Sequence, residues 1–160
     1  MGGSCGGYAT LVGLTMTPDV FAAGVDIVGP SNLNTLLSTI PPYWEPIMNL
    51  FRTRVGDPDT PEGQALLTAR SPLTYVDSIR RPLLIGQGAN DPRVKQSESD
   101  QIVDAMTANG LAFFAVSEVF LAEHLGGRHQ WIADGDFEGS TIQVPVGAAD
   151  VPGLEAAIPE

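Results

Sequence analysis

The chain of 160 residues is 43% hydrophobic and sets 8 basic against 19 acidic side chains, a net charge of −11. That is one domain of ordinary size, able to bury roughly 70% of its unfolded surface, and so acidic a surface repels phosphate backbones and anionic headgroups, which excludes nucleic-acid and membrane-surface roles first. A single cysteine, Cys5, forms no internal disulfide and no Cys and His run has zinc spacing, so neither a metal nor another cofactor is expected. With no basic leader before an apolar stretch and no run near about 18 apolar residues, the chain reads as soluble and cytoplasmic, secretion being left open.

The 18 glycines and 13 prolines follow no repeat period and punctuate short elements of an α/β chain. A buried helix is predicted over 8–17, ended by Pro18 and Asp19, then a buried strand over 22–28 ending at Gly29 and Pro30. Between 31 and 51, Leu33, Leu36, Leu37 and Ile40, then Trp44, Ile47, Met48 and Phe51, fall at helical spacing, and Pro41-Pro42 separates two helices. A loop over 56–61 and a short helix over 62–69 precede a strand at 83–86, which runs into Gln87-Gly88-Ala89-Asn90-Asp91 and so stops at a carboxylate. A helix follows over 97–108, with Ser97 as N-cap and Asn109-Gly110 as its stop, and another over 111–125. Beyond Gly127 six acids face Arg128 alone, with one β-like stretch at 141–146. The expected division is a domain over 1–127 and an acidic tail over 128–160, mobile or packed as an extended arm.

Gly2-Gly3-Ser4-Cys5-Gly6 is a G-x-S-x-G pattern directly before the first helix. A serine on a tight strand-to-helix turn needs small neighbours on both sides, because the backbone is strained and the helix packs close. Such a turn lifts the hydroxyl clear of the sheet and aims the next N–H at an oxyanion. Serine is a weak nucleophile at neutral pH and needs a histidine base, itself held by a carboxylate. Asp91, just past a short apolar strand, is where an α/β sheet presents that carboxylate. The bland alternatives are a flexible glycine-rich start and a turn-forming Asn-Asp-Pro; Cys5 is a rival nucleophile, disfavoured because the turn exposes the central residue.

Gly2-Gly3-Ser4-Cys5-Gly6-Gly7-Tyr8, Ser71-Pro72-Leu73-Thr74-Tyr75-Val76, and Gly86-Gln87-Gly88-Ala89-Asn90-Asp91-Pro92-Arg93-Val94 together resemble the catalytic domain of the prolyl oligopeptidase family, serine peptidases and related esterases with the α/β-hydrolase fold. The resemblance runs from Gly2 to about residue 128. It implies Ser4 as nucleophile, Asp91 as the triad acid, and the Cys5 N–H as one oxyanion donor, with Cys5 standing where the family usually has tyrosine. It also implies a partial fold here: helix-rich, with few parallel strands and an extended acidic tail. In the family a strand and roughly half of the sheet precede the serine and carry the second oxyanion donor, whereas here Met1 stands three residues before Ser4. The family's strand and Glu-Gly-His-Gly loop after the acid-bearing helix have no counterpart between Gly110 and Leu111.

Only His124 and His129 remain. His124 near a helix end suits a solvated cap of the dipole, yet a sharper reading exists. At about 1.5 Å per residue, a helix descending over 97–108 and one climbing over 111–124, joined at Asn109-Gly110 as an αα-hairpin, would return His124 to the level of Asp91; His129 is the alternative. The functional expectation is a serine hydrolase acting through a Ser4 acyl-enzyme on a small ester or, less readily, a peptide, with His124 as base. The competing expectation is a non-catalytic fragment or a binding and self-associating module, because two short strands leave apolar surface uncovered. Homo-oligomers are expected on either reading.

Overall fold

A computed structural model of the chain describes residues 1–106, 114–134, 137, 144 and 147–158. Among them, β1 (Gly2–Gly3), β2 (Gly24–Ile27) and β3 (Leu83–Gly86) form one parallel sheet in the order β1-β2-β3. Gly3 pairs with Ile27, and Ile27 with Gly86, so the carboxyl ends of all three strands share one end of the sheet. Sequence periodicity predicts only two of these strands. β1 escapes it because two glycines carry no side-chain alternation; main-chain pairing alone makes them a strand.

The helix α1 (Cys5–Met16) begins directly after Ser4, three residues ahead of the predicted start. Two glycines in its first turn disfavour helix by roughly 1 kcal/mol each, and packing on β2 overrides that preference. Asn32 caps α2 (Leu33–Ser38), its side chain accepting from the Asn34 N–H. The second predicted helix of this region divides into a 3-10 segment over Pro42–Ile47 and α3 (Met48–Arg54), because Pro46 removes a donor from the first part. Thr60 caps α4 (Pro61–Arg70), and a 3-10 segment over Pro72–Ser78 leads towards β3. The helix α5 (Gln96–Met106) starts one residue before Ser97, so Ser97 lies inside the first turn and is not the predicted cap. Completing the chain are α6 (Phe114–Leu125) and α7 (Leu154–Ala157).

Alternation along the strands divides the core into two layers. Leu83 and Ile85 of β3 pack with Leu11 and Leu14 of α1 and Ile102 of α5. Val25 and Leu84 face the other way and pack with Val119 and Phe120 of α6 and with Ile132, Val151 and Leu154. The acidic tail thus supplies apolar residues to one face of the sheet. A third cluster, Leu33, Leu37 and Leu67, joins α2 to α4.

This layering corrects one expectation. Because α5 and α6 lie against opposite faces of the sheet, they do not pack on each other as an αα-hairpin. The residues Asn109 and Gly110 fall outside the described residues, as does all of the stretch 141–146 except Val144, which packs against the second layer.

Candidate active site

Ser4 stands between the end of β1 and the start of α1 with φ 54° and ψ −117°. An L-residue reaches that conformation only under strain. Its N–H donates to the Ile27 carbonyl at 2.8 Å and its carbonyl accepts from the Tyr8 N–H at 2.9 Å, so the turn is held by β2 on one side and by the helix on the other. The side chain is exposed. The Cys5 N–H opens the helix, where no intrahelical acceptor exists.

The glycines around Ser4 have different reasons. A Cβ at Gly2 would stand 2.2 Å from the Gly6 carbonyl oxygen, and one at Gly7 would stand 2.1 Å from Oδ1 of Asp26, whereas one at Gly6 meets open space. Close approach is therefore enforced at Gly2 and Gly7, while the expected requirement at Gly6 has no steric cause among the described residues.

Asp91 lies in the loop leaving β3, at the same end of the sheet as Ser4. The register separates Gly3 and Gly86 by two strand spacings, about 10 Å. The Asp91 N–H donates to the Gly88 carbonyl at 3.1 Å. Its Oδ1 accepts from the N–H groups of Arg93 at 2.8 Å and Val94 at 2.9 Å, and Oδ2 takes no hydrogen bond among the described residues. The next helix is anchored by Glu98, which is buried. One carboxylate oxygen accepts from the Asn32 N–H at 2.9 Å, the other from the Thr35 hydroxyl, and its main-chain carbonyl from the Ser31 hydroxyl.

His124 ends α6 with its ring exposed and edge-on to Phe120, centroids 4.6 Å apart. His129 stands edge-on to Trp131 at 4.5 Å, and both its ring nitrogens are buried without a partner. Among the described residues no hydrogen bond joins either ring to Ser4 or Asp91. Of the apolar residues at helical spacing between 31 and 51, Trp44 stacks on Phe51 with centroids 6.0 Å apart, and Phe51 packs against the α2 and α4 cluster.

Sequence reasoning missed Asp26. It is fully buried in the central strand, neither carboxyl oxygen has a hydrogen-bond partner, and burial pushes its pKa up to about 7. The nearby Gly29 N–H offsets part of that shift without making a hydrogen bond of good geometry. The available signal was an acid within the otherwise apolar Val25-Asp26-Ile27-Val28 run.

A strained serine between a parallel strand and a helix, with a carboxylate two strands away at the same sheet end, defines an α/β-hydrolase. The family model of the prolyl oligopeptidase family matches residues 1–135, and the chain belongs to that family of serine peptidases. It is 59% identical over 179 residues to dipeptidyl aminopeptidase BIII of Pseudoxanthomonas mexicana, covering 99% of this chain and 26% of that protein. Similarity to dipeptidyl peptidase family member 6 of Caenorhabditis elegans is 43% over 169 residues, 92% of this chain and 23% of the relative. Among solved structures, a puromycin-hydrolyzing peptidase of Mycobacterium tuberculosis superposes with a TM-score of 0.68 at 26% identity, over 91% of this chain and 23% of that one. The chain spans about a quarter of the length of the curated relatives it matches. The first alignment is longer than the 160 residues of this chain, so that relative carries residues with no counterpart here.

Proposed function

We propose that this chain is a serine hydrolase of the peptidase type whose nucleophile is Ser4, with Asp91 as the acid and His124 as the base. The observation that carries the reading is the strained backbone of Ser4, φ 54° and ψ −117°, at the sheet end that also presents Asp91. The Ser4 hydroxyl gives its proton to the base and attacks the carbonyl, the Cys5 N–H meets the oxyanion, the amine or alcohol departs with that proton to leave an acyl-enzyme, and water then hydrolyses the acyl ester to the acid product and free Ser4. The relatives' names point to peptides, and to dipeptides removed from an amino terminus, as the substrate class. Activated esters should turn over faster than amides in this chain, because amide cleavage asks more of the leaving-group acid, and among the described residues no hydrogen bond places a histidine on Ser4. A fluorophosphonate probe should label the chain and not Ser4→Ala, and hydrolysis of a p-nitrophenyl short-chain ester should disappear in the same variant with its circular dichroism unchanged. Equal labelling of both proteins would remove Ser4 from the mechanism.

A second reading is a non-catalytic, self-associating module. It is favoured by the lack, among the described residues, of a hydrogen bond from either histidine ring to Ser4 or Asp91, and by the exposure of Met1 and Phe21 beside β1. Absence of labelling in the folded chain would select it.

A further inference from the structure

Gln87, the first residue after β3, uses its side-chain amide on the loop that carries Asp91 and on the helix that follows it. Its Nε2 donates to the Gly88 carbonyl at 3.1 Å and to the Val94 carbonyl at 3.0 Å. Its Oε1 accepts from the hydroxyl of Ser99, in α5, at 2.9 Å. The amide orientation follows from chemistry: turned over, a carbonyl oxygen would face two carbonyl oxygens. One side chain therefore ties the loop's entry at Gly88, its exit at Val94 and the helix beyond. Both ends also hold Asp91 directly, since its N–H donates to Gly88 and its Oδ1 accepts from the Val94 N–H. Ser99 and Val94 are buried, and Glu98 fixes the same helical turn to the β2 side of the molecule, so the anchor is rigid.

We propose that Gln87 is a positioning residue that fixes the Asp91 carboxylate, holding Oδ1 on the loop's own amides so that Oδ2 is left facing outward for the base. The proposal deepens the assignment of Asp91 as the triad acid and rests on it for its catalytic consequence, not for the clamp itself. Gln87 touches no reacting atom; without it the loop keeps its sequence and loses the tie between its two ends.

The test uses the full chain and Gln87→Met, which keeps the volume and removes both donors and the acceptor, with Ser99→Ala as a milder variant that removes one bond. Amide hydrogen exchange at Arg93 and Val94, the donors to Asp91, should speed up by about tenfold or more in Gln87→Met while amides of β2 and α1 keep their protection. The rate of fluorophosphonate labelling should fall by about tenfold or more. In an Asp91→Asn background the same substitution should cost nothing further. Unchanged exchange at Arg93 and Val94 would overturn the clamp, and an undiminished loss in the Asp91→Asn background would overturn action through Asp91. If the parent chain is not labelled, the serine-hydrolase reading fails by itself, and the exchange measurement still decides whether Gln87 holds the loop. Should Gln87→Met not fold, Ser99→Ala carries the same exchange criterion.

Discussion

The buried carboxyl of Asp26 lies so close to Gly7 that a Cβ added there would stand 2.1 Å from its Oδ1 and 2.8 Å from the Gly29 Cα. The first turn after Ser4 is thus seated on the central strand through an acid and a glycine. Gly7→Ala should therefore destabilise the chain by about 3 kcal/mol or more, at the upper end of what overpacking costs, since neither the central-strand side chain nor the Gly29 backbone has room to yield. Urea denaturation checks it; a loss under about 1 kcal/mol would show that the helix start moves freely over β2.

Asp26 makes stability depend on pH. An ordinary aspartate titrates at 3.8, and burial raises this one to about 7. A raised pKa means that the folded state holds the proton where the unfolded chain has lost it. The stabilisation is therefore full below pH 3.8 and is lost as pH climbs to about 7, a total of about 4 kcal/mol at 1.36 kcal/mol per unit. Asp26→Asn carries no ionisable group there, so it should flatten this fall and exceed the parent in stability at pH 8. Denaturation midpoints of both proteins at pH 5 and pH 8 check the sign; parallel pH profiles would show that Asp26 does not titrate in this range.

The strain at Ser4 has its own signature. Glycine accepts φ 54° without the Cβ penalty, so Ser4→Gly should raise stability by about 1 kcal/mol while abolishing acylation. Gain and loss in one substitution is what a strained functional residue predicts. A destabilised Ser4→Gly would mean that the hydroxyl contributes more to the fold than its backbone costs.

Local motifs were more legible than packing in this sequence. Ser4 and Asp91 sit in local patterns, a glycine-flanked turn and a strand end, and the prolyl oligopeptidase resemblance on those motifs agrees with the family and the α/β-hydrolase fold found. The strand Leu83–Gly86 matches its prediction residue for residue, because its apolar run has sharp borders. Asp26, Gln87 and Glu98 were not legible. Each acts through partners distant in sequence, as with Glu98 and Asn32, and a lone polar residue in a one-dimensional pattern does not show what it meets. The side on which α6 packs was equally hidden, since a helix that is apolar on much of its surface does not declare which sheet face it covers.

Association is expected along the outer edge of β1, which has no second partner strand among the described residues. Met1 is 72% exposed, Val20 70% and Phe21 50%, and Phe21 with Ala23 and Leu14 lines a 350 Å³ hollow beside this strand. An edge strand next to apolar side chains is a template for another chain. Light scattering at micromolar concentration should give a mass of at least twice 16.9 kDa, and Phe21→Glu should shift it towards the monomer. A monomer throughout, binding no apolar dye, would count against this edge as a contact surface.

The base is tested by replacing the two histidines separately. His124 ends α6 with an exposed ring on Phe120, so His124→Ala removes little packing and should leave the thermal midpoint almost unchanged. If its imidazole serves Ser4, labelling by the fluorophosphonate should fall by about a hundredfold or more, the scale of general-base assistance. His129 stands against Trp131 with both nitrogens buried and unpartnered, so His129→Ala should be tolerated for stability and should leave labelling near the parent rate. The reverse pattern would move the base to residue 129. Loss in neither variant would leave Ser4 with no histidine of this chain, and the residual reaction would then rest on binding and the Cys5 N–H alone.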